Sequence, residues 1–316
     1  MQTRALGSTG FDIAPLVFGG NVFGWTANEA ESFRLLDAFV DAGLNAIDTA
    51  DVYSSWAPGN AGGESETIIG NWLARDPGKR ERVVLITKVG SDMGQGHVDL
   101  SEAWILEAVE QSLRRLRIEA IDVYLSHWPD ARTPHAETLG AYQKLLEQGK
   151  IRSIGASNLD AAGLAEALKV ADETGLPRYR VLQPGYNLLD RKTLEGPLLD
   201  LCRAENLGVI TYFSLAKGFL SGKYRSEADL GKSPRGGGVK DYLTPRGFAI
   251  LGALDQVAAR TGAAPAEIAL AWIAAQPGVT APIASATSLD QLASLVRAAE
   301  LTLSTEDIAI LTQASA

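Results

Sequence analysis

Short apolar runs alternate with longer amphipathic segments along the whole chain. The apolar runs are rich in Val and Ile and mostly unbroken, as expected of strands that are buried on both faces. They predict eight strands: Leu16–Gly19, Asn45–Asp48, Val83–Lys88, Ile121–His127, Ile151–Ser157, Val181–Gln183, Gly208–Phe213 and Val279–Ile283. The segments between them have helical periodicity: Asn28–Ala42, Ser65–Ala74, Ser101–Arg115, Pro134–Gln148, Ala161–Thr174, Leu194–Glu205 and Ser288–Ala298.

Eight strands alternating with helices, at about 40 residues per unit, predict an α/β fold of the (β/α)₈ barrel type. A doubly wound Rossmann sheet is the alternative, because it has the same alternation of strands and helices. The barrel is favoured because no strand leads into a G-x-G-x-x-G turn and no breakpoint divides the chain into halves. We therefore expect one barrel domain over residues 1–316.

Several segments lie outside the eight-fold alternation. Thr3–Pro15 predicts a β-hairpin before the first strand, with a Gly-Ser-Thr-Gly turn. Arg225–Leu243 is the longest irregular stretch, and loops of this length are usually functional or mobile. It carries Arg235 and Lys240 and is a candidate to fold over a cofactor or a substrate pocket. No role is assigned to its individual residues. Three additional helices are predicted: Arg246–Arg260, Pro265–Gln276 and Ser304–Ala314.

Composition and charge exclude several classes of protein. The chain has 29 basic and 38 acidic residues and a net charge of −9, which argues against nucleic acid or an anionic membrane as the main partner. No apolar run approaches the ~18 residues of a membrane helix, and no signal peptide is evident. The single cysteine, Cys202, lies in an apolar helical segment and is expected to be a buried thiol. These features predict a cytoplasmic globular protein.

Polar residues at three consecutive strand ends are the candidate chemistry. The second strand ends at Asp48, with Tyr53 five residues later, the third ends at Lys88 and the fourth at His127. Each alone has an ordinary explanation, such as a turn cap or a hydrogen-bonded structural histidine. In a (β/α)₈ barrel, however, the active site lies at the carboxyl ends of the strands. Four such residues at one rim therefore argue against coincidence.

These residue types suit general acid–base chemistry at an oxygen atom. The ordinary pKa of a tyrosine is about 10, and the Lys88 cation is expected to lower the pKa of Tyr53 while Asp48 orients Lys88. His127 is expected to donate a hydrogen bond to a carbonyl oxygen. A serine-hydrolase G-x-S-x-G turn is absent. No metal site is predicted, because three scattered histidines supply too few ligands (His97, His127, His135).

The same residues resemble the aldo-keto reductase superfamily over essentially the whole chain. The resemblance rests on three segments, Asn45–Tyr53 (NAIDTADVY), Ile86–Lys88 (ITK) and Ile121–Asp130 (IDVYLSHWPD). Gln183–Arg191 (QPGYNLLDR) is typical of the branch with many bacterial enzymes and the potassium-channel β subunits. The resemblance implies reversible hydride transfer between a nicotinamide cofactor and a carbonyl. By this resemblance Tyr53 is the proton donor, Asp48 and Lys88 are the pair that adjusts the pKa of Tyr53, and His127 orients the substrate.

The resemblance also implies cofactor contacts at the remaining strand ends. Ser157, Asn158 and Gln183 resemble the carboxamide-binding residues, and Phe213 stands where we expect the ring that stacks on nicotinamide. Ser214–Tyr224 resembles the pyrophosphate strap, with Leu215 in place of a usual proline, and Ile283–Leu292 resembles the adenosine-phosphate segment. The full predicted cofactor set is Gly20, Asn21, Asp48, Ser157, Asn158, Gln183, Phe213, Ser214, Leu215, Lys217, Gly218, Ile283, Ser285, Thr287 and Gln291.

The preferred cofactor is predicted by resemblance and not by charge. Positions that are often Lys or Arg in relatives are Ser285 and Gln291 here. Neutral Thr287 and Gln291 are expected to bind a 2′-phosphate, as resembling residues do in the channel-subunit branch. NADPH is therefore the predicted cofactor, with NADH as the alternative.

The substrate and two rival functions remain open at this stage. Trp25, Trp56 and Trp128 lie beside strand ends and are candidate walls for an aldehyde, a ketone or a sugar ring. One rival is a cofactor-binding regulatory subunit, expected to carry a long N-terminal segment, whereas this sequence starts within four residues of its hairpin. The other is an isomerase or lyase, which has no need for Ser157 and Asn158 beside a ring-sized site. Oligomeric state is not predicted.

Overall fold

Eight parallel strands close into a barrel in the computed structural model, which describes residues 1–233 and 236–316. A short antiparallel hairpin, β1 (Arg4–Ala5) and β2 (Asp12–Ile13), precedes it. The barrel strands are β3 (Val17–Gly19), β4 (Ala46–Asp48), β5 (Val84–Val89), β6 (Ile121–Ser126), β7 (Ile151–Ser157), β8 (Val181–Gln183), β9 (Gly208–Thr211) and β10 (Ala281–Ala284). Each pairs with the next, and β10 pairs back on β3. The predicted (β/α)₈ barrel is confirmed.

Helices connect the strands and cover the outside of the barrel. Most begin at a capping side chain, as at Ser101, whose hydroxyl accepts a hydrogen bond from Trp104 N at 3.3 Å. The helices are α1 (Glu29–Asp41), α2 (Glu64–Ala74), α3 (Gly78–Glu81), α4 (Glu102–Leu116), α5 (His135–Glu147), α6 (Ala161–Thr174), α7 (Pro197–Ala204), α8 (Pro245–Thr261), α9 (Pro265–Ala274), α10 (Leu289–Glu300) and α11 (Thr305–Ala314).

The apolar core has two layers because the barrel strands, apart from Arg152 on β7, are buried on both faces. An inner cluster fills the barrel, and an outer cluster lies between strands and helices. The hairpin contributes Leu6 and Ile13 to the inner cluster and so closes the amino-terminal end. Gly7 allows this approach, since a Cβ there would lie 2.1 Å from Gly208 N. Cys202 is fully buried and burial raises its pKa to about 12, so the prediction of a buried thiol is confirmed.

Several predicted boundaries were wrong for local reasons. The strand predicted to reach Phe213 ends at Thr211, because Phe213 has a φ of +54°. The helix predicted from Leu194 begins at Pro197, after Gly196 with a φ of +91°. The stretch predicted to be irregular contains two 3₁₀ helices, Glu227–Lys232 and Gly236–Tyr242. Within it, Arg235 lies outside the described residues.

Candidate active site

Four polar side chains meet at the carboxyl end of the barrel. Asp48 is the last residue of β4 and Lys88 lies near the end of β5. His127 follows β6 directly, and Tyr53 lies in the turns between β4 and α2. Strand register aligns the first two, since Asp48 pairs with Ile86, two residues before Lys88. The structure thus brings together the four residues that the strand ends predicted.

Lys88 is the centre of this cluster, and its ammonium is fully buried. Its Nζ donates to Asp48 Oδ2 at 2.8 Å, to the Thr49 carbonyl at 2.7 Å and to Tyr53 OH at 2.8 Å. An ammonium has three N–H donors, so all of them are used. Burial lowers the pKa of Lys88, and the Asp48 carboxylate opposes that change. The cation is therefore held in one position by a neighbouring countercharge.

The Tyr53 hydroxyl lies between Lys88 and Asp48. It donates to Asp48 Oδ2 at 3.3 Å while it accepts from Lys88. Burial raises the pKa of Tyr53 well above 10, and the Asp48 carboxylate acts in the same direction. The expectation that Lys88 gives Tyr53 a lowered pKa is therefore wrong for this site, because desolvation and Asp48 outweigh the cation. Tyr53 is a protonated phenol at neutral pH.

His127 is a neutral imidazole beside Tyr53. Burial lowers its pKa well below 6.5, and the Lys88 charge adds to this. Its Nδ1 lies 2.9 Å from Ser91 Oγ. When the Ser91 hydroxyl donates to Nδ1, the proton of the neutral ring is on Nε2, which is then a donor. Sequence reasoning missed Ser91, although a polar residue two positions beyond a strand end is a usable signal.

The predicted carboxamide-binding residues adjoin the same cluster. Ser157 and Gln183 end β7 and β8, and Ser157 Oγ donates to the Gln183 carbonyl at 2.7 Å. Gln183 Nε2 donates to Asp48 Oδ1 at 2.7 Å, a link to the tetrad that the sequence did not predict. Asn158 Nδ2 donates to the His127 carbonyl at 2.9 Å. These three side chains are therefore positioned by the tetrad and by one another.

An aromatic residue that the sequence analysis overlooked, Tyr212, also reaches this region. Its hydroxyl donates to Asn158 Oδ1 at 2.6 Å, and its ring packs against the inner cluster. It is close enough to Tyr53 to contribute to the raised pKa of that residue. Phe213, predicted as the stacking ring, is 52% exposed and meets Tyr212 edge-on at 4.9 Å between ring centroids. Two aromatic rings therefore stand at this strand end.

The strap begins directly after Phe213 and has an unusual backbone. Ala216, Lys217 and Gly218 all have positive φ angles, of +47°, +56° and +97°. The buried Ser214 hydroxyl donates to the Thr211 carbonyl at 2.9 Å, which holds the start of the strap, including Leu215, on the strand end. A Cβ on Gly238 would lie 3.3 Å from Lys217 Cδ. The 3₁₀ helix Gly236–Tyr242 therefore packs against the strap.

The predicted adenosine end lies where β10 meets β3. Gly20 and Asn21 begin a 3₁₀ turn after β3, and Ser285 Oγ donates to Asn21 Oδ1 at 2.7 Å just beyond Ile283. Gln291 Oε1 accepts hydrogen bonds from Thr287 N at 2.9 Å and Thr287 Oγ1 at 3.2 Å. The two residues predicted to bind a 2′-phosphate therefore bond each other.

Three tryptophans surround Tyr53 and His127. Trp56 lies 5.9 Å from both Tyr53 and Trp25, ring to ring. Trp128 stacks on His127 at 5.7 Å, with the ring planes only 12° apart. Trp56 and Trp128 are 47% and 42% exposed. They leave large apolar faces open beside the tetrad.

Two kinds of feature are missing from the part of the chain that the structure describes. Residues 1–233 and 236–316 contain no group of His, Cys, Asp or Glu arranged to hold a metal ion. Within the same ranges, no helix combines the length and the apolar character that a membrane crossing requires.

Comparison with known proteins agrees with this geometry. The model of the aldo/keto reductase family matches residues 15–316. The uncharacterized oxidoreductase YrpG of Bacillus subtilis is 34% identical, over 98% of this chain and 95% of that protein. Protein tas of Escherichia coli is 32% identical, over the same shares of the two chains. A probable voltage-gated potassium channel subunit beta of Oryza sativa is 34% identical, over 95% of this chain and 92% of its own length.

Proposed function

The chain belongs to the aldo/keto reductase family and is an oxidoreductase, and we propose that it reduces aldehydes and ketones with NADPH, reversibly, using Tyr53 as the acid–base group. One observation carries this proposal. Lys88 Nζ bonds both Tyr53 OH and Asp48 Oδ2 at 2.8 Å, in a buried site that opens towards exposed aromatic rings. That arrangement places the Tyr53 hydroxyl beside a space for a carbonyl oxygen, towards which its O–H can turn from Asp48 Oδ2.

The residues present fit a nicotinamide cofactor. A Cβ at Gly19 would lie 2.6 Å from Ser285 Oγ. The glycine therefore allows the end of β3 to lie close to Ser285. We propose that Ser157, Asn158 and Gln183 bind the carboxamide and that Tyr212 or Phe213 stacks on the ring. The remaining predicted residues bind the phosphates and adenosine: Gly20, Asn21, Ser214, Leu215, Lys217, Gly218, Ile283, Ser285, Thr287 and Gln291. When bound, the reduced cofactor supplies the hydride.

Tyr53 supplies the proton in the reduction direction. As negative charge develops on the carbonyl oxygen, the Tyr53 hydroxyl transfers its proton there, and the Lys88 ammonium stabilises the phenolate that remains. His127 Nε2–H donates a hydrogen bond to the same oxygen and fixes its position. The raised pKa of Tyr53 keeps the proton available at neutral pH. Alcohol oxidation needs the phenolate, so its rate is expected to rise with pH.

The open tryptophan faces set the proposed substrate class. Trp25, Trp56 and Trp128 bound the space over Tyr53 and His127 with apolar surface. Such walls bind the flat or apolar faces of carbonyl compounds, including the apolar faces of sugar rings. We propose neutral aldehydes and ketones as substrates.

A panel of carbonyls and alcohols tests the proposal, with NADPH and NADH in parallel and the absorbance of the reduced nicotinamide as the signal. We expect turnover with aromatic or apolar aldehydes. Absence of turnover across the panel, together with tight NADPH binding by fluorescence, would instead support the second candidate function, a cofactor-binding regulatory subunit. That candidate rests on the 34% identity to the rice channel subunit. A cytoplasmic location is also proposed, and the buried single thiol supports it.

A further inference from the structure

A second buried polar cluster lies on the outer side of the barrel, behind Lys88. This rear cluster consists of Asp51, Glu66, Thr87, Arg115 and Tyr124. Glu66, on α2, is fully buried and accepts from Thr87 Oγ1 at 2.6 Å and from Arg115 Nε at 2.7 Å. The Arg115 cation, on α4, is thus neutralised by Glu66. The proposed mechanism uses none of these residues.

Asp51 is one of two members of the rear cluster whose side-chain oxygens have no hydrogen-bond partner among the described residues. It is 1% exposed, and neither of its carboxyl oxygens has a well-aligned hydrogen-bond donor among the residues that the structure describes, the nearest being the Val52 N–H. The buried Tyr124 hydroxyl also lacks a partner within the described residues. A buried carboxylate loses its hydration, and one nearby backbone N–H, that of Val52, does not replace it, so the uncharged acid is favoured.

Charged and titratable groups on several elements interact electrostatically with Asp51. Burial and the Glu66 carboxylate raise the pKa of Asp51 to about 8, while the nearby Val52 N–H, Arg115 and Lys88 oppose the rise. Arg115 and Lys88 cannot prevent it, because their charges are already matched by Glu66 and Asp48. Three tyrosines are coupled to Asp51 electrostatically: Tyr53, Tyr124 and Tyr142.

Asp51 is also joined directly to the tetrad. Its backbone N–H donates to the Lys88 carbonyl at 3.3 Å. A negative charge on Asp51 raises the pKa of Lys88 and that of Tyr53. Any change in the charge of Asp51 therefore reaches both groups that handle the proton.

We propose that Asp51, buried without an aligned donor and bonded through its backbone to Lys88, is a positioning residue that acts through Lys88, as an uncharged carboxylic acid that loses its proton to solvent only when the pH is raised. The Asp51 carboxylate then raises the pKa values of Lys88 and Tyr53. As a result, the rate of alcohol oxidation increases less steeply as the pH rises. The kinetic part of this inference rests on the proposed function. The titration of Asp51 does not.

Unfolding of the parent and Asp51→Asn by urea, from pH 4 to pH 9, tests the titration. An acid that stays protonated when folded but ionises when unfolded makes the folded state lose stability as the pH rises between the two pKa values. An asparagine side chain does not titrate, so Asp51→Asn lacks this pH-dependent loss of stability. The stability of Asp51→Asn relative to the parent should therefore increase from about pH 4 to about pH 8 and then level off.

Asp122→Asn is the matched control. Asp122 is equally buried, but its carboxylate bonds Arg80, Arg152 and Leu85 N. Asp122→Asn should destabilise the protein, and its stability relative to the parent should not increase as the pH rises. A stability difference for Asp51→Asn that does not change over pH 4–8 would mean that Asp51 is ionised throughout, and the inference would be wrong.

Two further measurements separate this inference from the proposed function. The parent should show an infrared C=O band of a protonated carboxyl at pH 6.5 that disappears by pH 9 and is absent in Asp51→Asn. In Asp51→Asn, the pH at which the rate of alcohol oxidation rises should be lower than in the parent by on the order of one unit. In Asp122→Asn, that pH should be unchanged. An unmoved profile, with the infrared band present, would overturn the coupling to Tyr53. If Tyr53→Phe keeps its turnover, the proposed function fails while the infrared and unfolding results stand.

Discussion

The two ends of the proposed site are held in different ways. At the tetrad, one buried ammonium bonds Asp48, Thr49 and Tyr53, and Gln183 fixes the second carboxylate oxygen of Asp48. At the adenosine end, the half-buried Thr287 and the exposed Gln291 are neutral side chains that bond each other. Buried charges with good geometry are costly to disturb, whereas exposed neutral bonds are worth little individually. We therefore expect substitutions to have large effects at the first end and small, cofactor-specific effects at the second.

Tyr53→Phe should give the largest effect. It removes the proton donor and keeps the ring, so turnover should fall on the order of 10²–10⁴-fold. Binding of NADPH, measured by fluorescence, should remain nearly that of the parent because the cofactor contacts lie elsewhere. Near-normal turnover would disprove the acid–base role and remove the contrast between the two ends.

Lys88→Met should have the next largest effect, mainly on alcohol oxidation. Methionine keeps most of the side-chain volume and removes the cation, so the phenolate of Tyr53 loses the ammonium that bonds it. A rise of 1–2 units in the pKa of Tyr53 would lower the phenolate fraction by about 10–100-fold at neutral pH. The pH–rate profile for oxidation should move to higher pH. Lys144→Met, at an exposed helix position, is the control that should leave the profile unchanged.

The tetrad was predictable from sequence because each residue ends or closely follows an unbroken apolar run. A parallel barrel brings all such ends to one rim, so Asp48, Lys88 and His127 could be grouped without coordinates. The direction of the pKa change at Tyr53 was not predictable, since it depends on desolvation and on which oxygen of Asp48 faces it.

Contacts between side chains of distant elements were also invisible in the sequence. Ser91 meets His127 across two strand ends, and Tyr212 meets Asn158 across the barrel rim. The mutual bonds of Thr287 and Gln291 depend on rotamers at the start of α10. Sequence reasoning could predict the strands and the turns that follow them, and could not say which donors were already in use.

Tyr212→Ala and Phe213→Ala compare the two rings between the tetrad and the strap. Loss of a stacked ring costs about 0.5–1.5 kcal/mol beyond its buried area, which is roughly a 2–10-fold weaker binding of the nicotinamide cofactor. We expect the larger loss for Tyr212, because its hydroxyl also positions Asn158. Tyr212→Phe separates the two roles and should recover most of the stacking contribution. A larger loss for Phe213→Ala would support the original assignment of Phe213 as the stacking ring.

Gln291→Arg should have the smallest effect, confined to cofactor choice. In the parent, the amide oxygen of Gln291 is occupied by Thr287, so its amide nitrogen is the group left to meet a 2′-phosphate. Charge-assisted hydrogen bonds are roughly twice as strong as neutral ones, and an arginine can bind a phosphate through two parallel bonds. A gain of about 1 kcal/mol corresponds to roughly a 5-fold increase in kcat/KM for NADPH, through a lower KM.

The same substitution should leave NADH almost unaffected, because NADH has no phosphate at that position. The ratio of kcat/KM values for NADPH and NADH, measured in the parent and the variant, gives the comparison directly. A parent that prefers NADH would overturn the NADP assignment. An arginine variant with an unchanged ratio would mean that residue 291 does not face the phosphate, and the adenosine end would then be recognised by the backbone and not by this pair. In that case Thr287→Ala should also leave the ratio unchanged, because the Thr287 hydroxyl would serve only to hold Gln291.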